Sequence, residues 1–153
     1  MRSYLLSSAL CFAVVALLAG SGNFVAQAAD PLTGTWKTVA IEKGGKKLPD
    51  ELVAKLPGRM QFDQGKVRVL LGDKVAAEGT YTIDEKKSPK TIELSAMSYR
   101  GQQAKARVGL FEITDNGQLK IITADKEGEK HPANFDSTAN PGADLIIYEK
   151  VAE

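Results

Sequence analysis

Arg59 to Asp84 reads RMQFDQGKVRVLLGDKVAAEGTYTID, and its period decides the fold class. Met60 and Phe62 alternate with Arg59, Gln61 and Asp63. Val67, Val69 and Leu71 continue the apolar face against Lys66 and Arg68. Val75, Ala77, Gly79, Tyr81 and Ile83 then alternate with Ala76, Glu78, Thr80, Thr82 and Asp84. Successive strand side chains point to opposite faces, so this pattern predicts three strands sharing one apolar face. Asp63-Gln64-Gly65 is a hairpin connection with glycine where positive φ is expected, and Gly72-Asp73 turns the chain again. Gly79, midway along the inner face, predicts a bend or a close backbone approach.

The same period continues downstream. After a charged turn over Glu85 to Pro89, Ile92, Leu94 and Ala96 oppose Thr91, Glu93 and Ser95. Met97 to Ala104 reads as a polar loop. A strand over Lys105 to Thr114 places Gly109, Phe111 and Ile113 on one face. Asp115-Asn116-Gly117 is a strong hairpin signal, and Leu119, Ile121 and Thr123 follow it. Asp125 to Gly142 is irregular and carries Pro132, Pro141 and His131; loops this long are uncommon unless functional or packed on themselves. Leu145-Ile146-Ile147-Tyr148-Glu149-Lys150 ends the chain's pattern, its apolar run predicting a strand covered on both sides.

Upstream, Asp30 to Gly34 is turn-rich, and Thr35 to Glu42 reads as a strand of mixed facing. Trp36, Thr38 and Ala40 share one side, and Lys37, Val39 and Ile41 the other. Gly44-Gly45 ends it. One short helix is predicted near residues 49–56. Pro49 stands near its start, Asp50 and Glu51 suit its positive end, and Leu52, Val53 and Leu56 are available to cover apolar surface. At barely two turns it must pack on something, as a lid or plug would. Eight short strands with mostly hairpin-length links predict an all-β fold, an eight-stranded up-and-down antiparallel barrel. Closure removes the edges that an open sheet would expose. A two-sheet sandwich is the alternative.

The N-terminus sets the expected compartment. Arg2, the apolar run Tyr4 to Ala19 and Ala26-Gln27-Ala28 form a signal peptide over residues 1–28, cleaved after Ala28. The run falls short of the roughly 20 residues that span a bilayer, so no integral span is expected after cleavage. Cys11 lies within the run rather than at its end, which argues against a lipoprotein. One domain over residues 29–153 remains, exported to the periplasm or the exterior, without cysteine and expected to be monomeric. The 20 Lys and Arg face 19 Asp and Glu, and removing Arg2 balances them. Net charge therefore gives no reason to expect nucleic acid or an anionic membrane as partner.

The chain resembles calycin-type, lipocalin-like proteins, whose first strand opens with G-x-W, here Gly34-Thr35-Trp36. It is most similar to a bacterial exported lipocalin-like domain family of unknown function. The motifs are L-x-G-T-W at Leu32 to Trp36, G-K-K-L-P at Gly45 to Pro49, E-G-T-Y-T-I-D at Glu78 to Asp84 and S-P-K-T-I at Ser88 to Ile92. A basic-proline-x-x-phenylalanine element is matched by His131, Pro132 and Phe135, with histidine where arginine is usual. Together these cover about Pro31 to Val151. The resemblance implies the barrel and brings no established activity. It also implies that Trp36 closes one barrel end beneath a basic residue of the last strand, the position of Lys150. Gly34, Trp36 and Lys150 are thus expected to be structural, with a cation held over an indole face.

Catalytic residues are not expected. His131 is the single histidine, which excludes a histidine-built metal centre, and no nucleophile elbow accompanies it. Asp50-Glu51 and Asp84-Glu85 fall in a helix start and a turn. Gly44-Gly45-Lys46-Lys47 lacks the spacing of a phosphate loop, and no cofactor is implied. The remaining candidate site is the barrel interior, where Met60, Phe62, Val69, Tyr81, Leu94, Phe111 and Ile121 should point inward. That lining suits a small hydrophobic ligand. A filled barrel acting in the cell envelope through its loops is the alternative.

Overall fold

A computed structural model describes residues 30–56, 58–99, 102–125 and 130–152. The signal peptide predicted over 1–28 lies outside the described residues. The elements are β1 (Gly34–Lys43), β2 (Lys46–Lys47), α1 (Asp50–Ala54), β3 (Gly58–Asp63), β4 (Lys66–Leu71) and β5 (Lys74–Asp84). They continue with β6 (Thr91–Leu94), β7 (Ser98–Tyr99), β8 (Gln102–Gln103), β9 (Arg107–Ile113), β10 (Leu119–Asp125) and β11 (Asp144–Lys150).

Eight of these strands close a ring. The order is β1, β3, β4, β5, β6, β9, β10 and β11, every neighbour is antiparallel, and β11 returns to β1. The expected all-β, up-and-down barrel is what the chain forms, and the sandwich is not. Because neighbours alternate in direction, the links sort onto two ends. The lower end carries Asp63–Lys66, Asp84–Thr91 and Ile113–Leu119, beside the start of β1 and the end of β11. The upper end carries the links that contain β2 with α1, the β4–β5 turn, β7 with β8, and the segment between β10 and β11.

Two register shifts correct the simple alternation. Between Thr38 and Ala40, β1 bulges against β11. Trp36 and Thr38 pair with Lys150 and Tyr148, but beyond the bulge Ile41 pairs with the inward-facing Ile146. Ala40 therefore leaves the face that it was expected to share with Trp36, and the extra residue explains the mixed pattern. The second shift separates Val69 from Leu70 against β5. It takes Val75 off the inner face predicted for it, and that side chain is 55% exposed. Ile113, also predicted inward, ends β9 at the lower rim and is 42% exposed.

Two further expectations are revised. The helix spans Asp50–Ala54 and buries only Val53, whereas Leu52 and Leu56 point to solvent. Five residues present one side chain to a neighbour, so the predicted three-residue apolar face cannot form. The polar stretch Met97 to Ala104 contains the β7–β8 ladder, which pairs with the upper half of β5 through Ala77 and Glu78. The long β5 thus pairs with β6 below and β7 above. Gly79 lies at that changeover, where an added Cβ would stand 2.8 Å from Met97 Cγ and from Ser95 Oγ.

Residues 130–142 form a strap across the outside of β9, β10 and β11. Phe135 packs on Leu110, Ile122, Ala124 and Ala143, and Leu145 joins them. Ile146 packs on the inner cluster, so the apolar run of β11 is covered on both sides. Ser137, fully buried, donates to Glu42 at 2.6 Å and accepts from the Gly45 N–H at 2.8 Å. Asn140 ties the strap to itself: its amide donates to the Asn134 and Asp136 carbonyls at 3.2 and 2.7 Å, and its Oδ1 accepts from Ala133.

Gly109 fixes how closely β9 and β10 approach. A Cβ there would lie 2.0 Å from the Ile122 carbonyl oxygen, which is backbone and cannot rotate away. Gly109→Ala should cost at least about 2 kcal/mol in chemical denaturation. Gly79→Ala should cost less, because its obstructions are ends of movable side chains. Equal stability of the two variants would show that the β9–β10 approach is not constrained.

Candidate functional site

The barrel interior has two unlike halves. At the lower end, Trp36, Phe62, Val67, Tyr81, Ile92, Phe111, Leu119 and Tyr148 form one buried cluster, with Leu32 inserted from the lead-in segment. Trp36 is 2% exposed, and its indole Nε1–H donates to the Leu32 carbonyl at 2.7 Å. The Phe62 and Tyr81 rings meet edge to face at 5.0 Å. Tyr81 donates its hydroxyl hydrogen to Asp30, which also accepts from the Leu32 N–H at 2.9 Å. These bonds explain why Leu32 stays in place although it precedes the first strand. Lys150 Nζ stands 5.6 Å from the Trp36 ring centroid. A Cβ on Gly34, whose φ is +128°, would lie 2.8 Å from Lys150 Cε. Gly34, Trp36 and Lys150 therefore meet at this end, as a cation–π stack over a plug.

Moving up the strands, burial falls on one side of the ring only. On β5, β6 and β10 the inward Ala77, Leu94 and Ile121 remain buried, beside the β7–β8 flap and Met97. On β1, β3, β4 and β11 the inward Thr38, Ile41, Met60, Val69 and Ile146 are only half-buried. Of the predicted interior residues, Phe62, Tyr81, Leu94, Phe111 and Ile121 belong to the buried cluster, and Met60 packs against it. Val69 shares their face through its pairing with Met60 and Ala77.

Above the apolar residues lies a polar group that the sequence reading did not single out. Arg107 donates from Nε to Thr123 Oγ1 at 2.9 Å and from Nη2 to the Thr123 carbonyl at 2.7 Å. Its Nη2 lies 3.2 Å from Asp144 Oδ2, and Lys43 Nζ lies 3.2 Å from Asp144 Oδ1. One carboxylate thus holds two cations across β9, β11 and β1. The signal was present in the alternation: Arg107, Gly109 and Phe111 are spaced by two, as are Asp144, Ile146 and Tyr148. Reading only apolar residues as inward hid it.

His131 Nδ1 lies 3.1 Å from the Gly109 carbonyl and Nε2 lies 3.9 Å from Glu93, so this histidine anchors the strap to β9 and β6. Among the described residues, no three His, Cys, Asp or Glu side chains gather where a metal ion could bind. Among them, too, no helix is long and apolar enough to cross a membrane.

Both inner tyrosines titrate above the ordinary range. Burial raises Tyr81, reinforced by the hydrogen bond to Asp30 and by its negative charge. Burial also raises Tyr148, with Arg107 opposing it. The folded values exceed the unfolded one, so this stability is complete below about pH 10 and is lost as pH rises beyond it. A tyrosinate absorbance titration should therefore show the buried tyrosines ionising together with alkaline unfolding. Their ionisation at ordinary pH in a still-folded chain would contradict that burial. Trp36→Ala should lose about 3–5 kcal/mol in denaturant unfolding, as large core truncations do. Tyr81→Phe should lose about 1–2 kcal/mol from the bond to Asp30.

Comparison of the chain with family models, curated proteins and solved structures finds no match.

Proposed function

We propose that this chain is an exported, non-catalytic, lipocalin-like carrier that holds a small hydrophobic molecule in the upper half of its barrel. The observation that carries the reading is the one-sided fall in burial among inward residues. Phe62 is 1% exposed, whereas Met60, two residues higher on the same strand and the same face, is half-buried. The same step separates Val67 from Val69 and Tyr148 from Ile146. Half-buried apolar side chains inside a barrel favour an apolar guest, because covering them removes their surface from water at about 25 cal/mol per Å². The solid lower plug supports a single mouth at the upper end. The N-terminal pattern over residues 1–28 supports export, and the G-x-W strand opening with Lys150 over the indole supports the lipocalin-like reading. A non-catalytic role accords with His131 being engaged by backbone and Glu93 rather than aimed inward.

Native mass spectrometry of protein purified from its own source tests this. The chain should carry an additional small apolar mass that is released on unfolding. Val69→Phe, which fills the upper interior, should remove that mass and leave unfolding stability equal or higher. A parent protein that is entirely unliganded would instead assign function to the loops of a filled barrel.

A further inference from the structure

The two inner tyrosines use their hydroxyls differently. Tyr81 directs its own to Asp30, whereas the Tyr148 hydroxyl makes no hydrogen bond among the described residues. Among them, too, no fully enclosed side-chain nitrogen or oxygen lacks a partner. The Tyr148 hydroxyl therefore opens on accessible space, although the residue as a whole is only 5% exposed. That space lies upward. Tyr148 pairs with Thr38 and Leu119, and Ile146, the next inward residue above it, is half-buried. Burial dominates the ionisation of the hydroxyl, and the one charge acting on it is that of Arg107, at the upper end. Neither Asp30 nor Lys150, at the lower end, acts on it. Water satisfies this hydroxyl poorly, because an interior water needs about two to four polar partners and Leu119, Ile121 and Ile146 pack around Tyr148. Thr38, the other inward hydroxyl of this wall, is half-buried and open to solvent.

From this arrangement we infer that Tyr148 is the polar contact of the cargo site, and that the cargo carries an uncharged carbonyl oxygen on an apolar frame. The inference rests on the carrier reading and narrows its cargo. Small-molecule sites are mostly apolar, with a few placed polar groups that fix orientation. Here the phenolic O–H donates to the carbonyl oxygen, while Ile41, Met60, Val69 and Ile146 cover the apolar frame. A buried hydroxyl without a partner is costly, and the cargo's oxygen removes that cost. The positive charge of Arg107 favours an acceptor at this point over a cationic group. Asp144 already binds both Arg107 and Lys43, and Asp125 stands opposite Arg107 in the β9–β10 register. These cations therefore give a carboxylate no advantage over a neutral carbonyl.

The test compares acetophenone with cumene, in which a methyl group replaces the carbonyl oxygen, on protein refolded free of cargo. Both should bind the parent chain. Tyr148→Phe should weaken acetophenone by about fivefold to tenfold, the effect of one hydrogen bond, and leave cumene unchanged. The carbonyl stretch of bound acetophenone should lie at lower frequency in the parent than in the variant. Unfolding stability should not fall, because the hydroxyl loses no protein partner. Benzoate should bind the parent less tightly than acetophenone. Equal effects of Tyr148→Phe on acetophenone and cumene would overturn the inference and leave the carrier reading standing. So would an unshifted carbonyl band, tighter binding of benzoate, or a fall in stability. Binding of neither acetophenone nor cumene would overturn the carrier reading and this inference with it.

Discussion

The hydrogen bond from the Trp36 indole to the Leu32 carbonyl is the constraint on which the barrel depends. An eight-stranded barrel has an interior that side chains can fill only if the chain supplies enough bulk at one level. Here the lead-in segment supplies it. Leu32 enters from below, the indole fixes its carbonyl, and Asp30 binds both the Leu32 N–H and the Tyr81 hydroxyl. The indole N–H, the Leu32 N–H and the Tyr81 hydroxyl thereby each have a partner, which is the condition for burying them at little cost. Lys150 then sets its charge over the indole from outside. With the lower end sealed in this way, the upper end need not be packed for the ring to hold.

The outer strap follows a different physical logic. It has almost no regular structure, yet its side chains satisfy its backbone. The Asn140 side chain bonds to Ala133, Asn134 and Asp136, and Asp136 accepts from the Thr138 N–H and hydroxyl, which holds its carboxyl below the usual carboxylate range. Phe135 supplies the apolar contact, and Ser137 supplies the link to the β1–β2 turn. A long loop so organised behaves as a further layer on the sheet. It explains why Leu110, Ile122 and Leu145, which face away from the barrel interior, can be apolar.

The ring was legible in the sequence because its physics is local. Alternation over Arg59 to Asp84 and the Asp115-Asn116-Gly117 turn specify strands and hairpins without reference to distant residues. The failures fall where one residue is inserted into a ladder or where partners lie far along the chain. The bulge at Val39 and the shift between Val69 and Leu70 put Ala40 and Val75 on the opposite face, and the sequence of β1 or β5 alone does not place either irregularity. The burial of Ser137 depends on Glu42 and Gly45, more than ninety positions away. The polar group of Arg107, Thr123 and Asp144 was concealed for another reason: it obeys the alternation but breaks the assumption that inward means apolar. The seven interior residues chosen from the sequence all lie on the inner face, but the sequence did not indicate that only one side of the upper half is loosely packed.

The ladder between β1 and β3 ends early. β3 pairs only with Gly34 to Lys37, while β2 pairs with Glu42 and Lys43 and the Leu48 N–H reaches the Ile41 carbonyl. Among the described residues, Thr38, Val39 and Ala40 thus have no strand paired with them on that side, and the bulge falls within the same gap. The ring therefore has a seam whose upper part is spanned by α1 rather than zipped by backbone hydrogen bonds. Backbone groups along that seam, lacking a strand partner, are more open to solvent than those held in the longer β1–β11 ladder on the other side of β1. Below it Trp36 pairs with Met60 and Gly34 with Phe62, so the plug itself zips the lower part of the seam and confines any sideways opening of the wall to the part above.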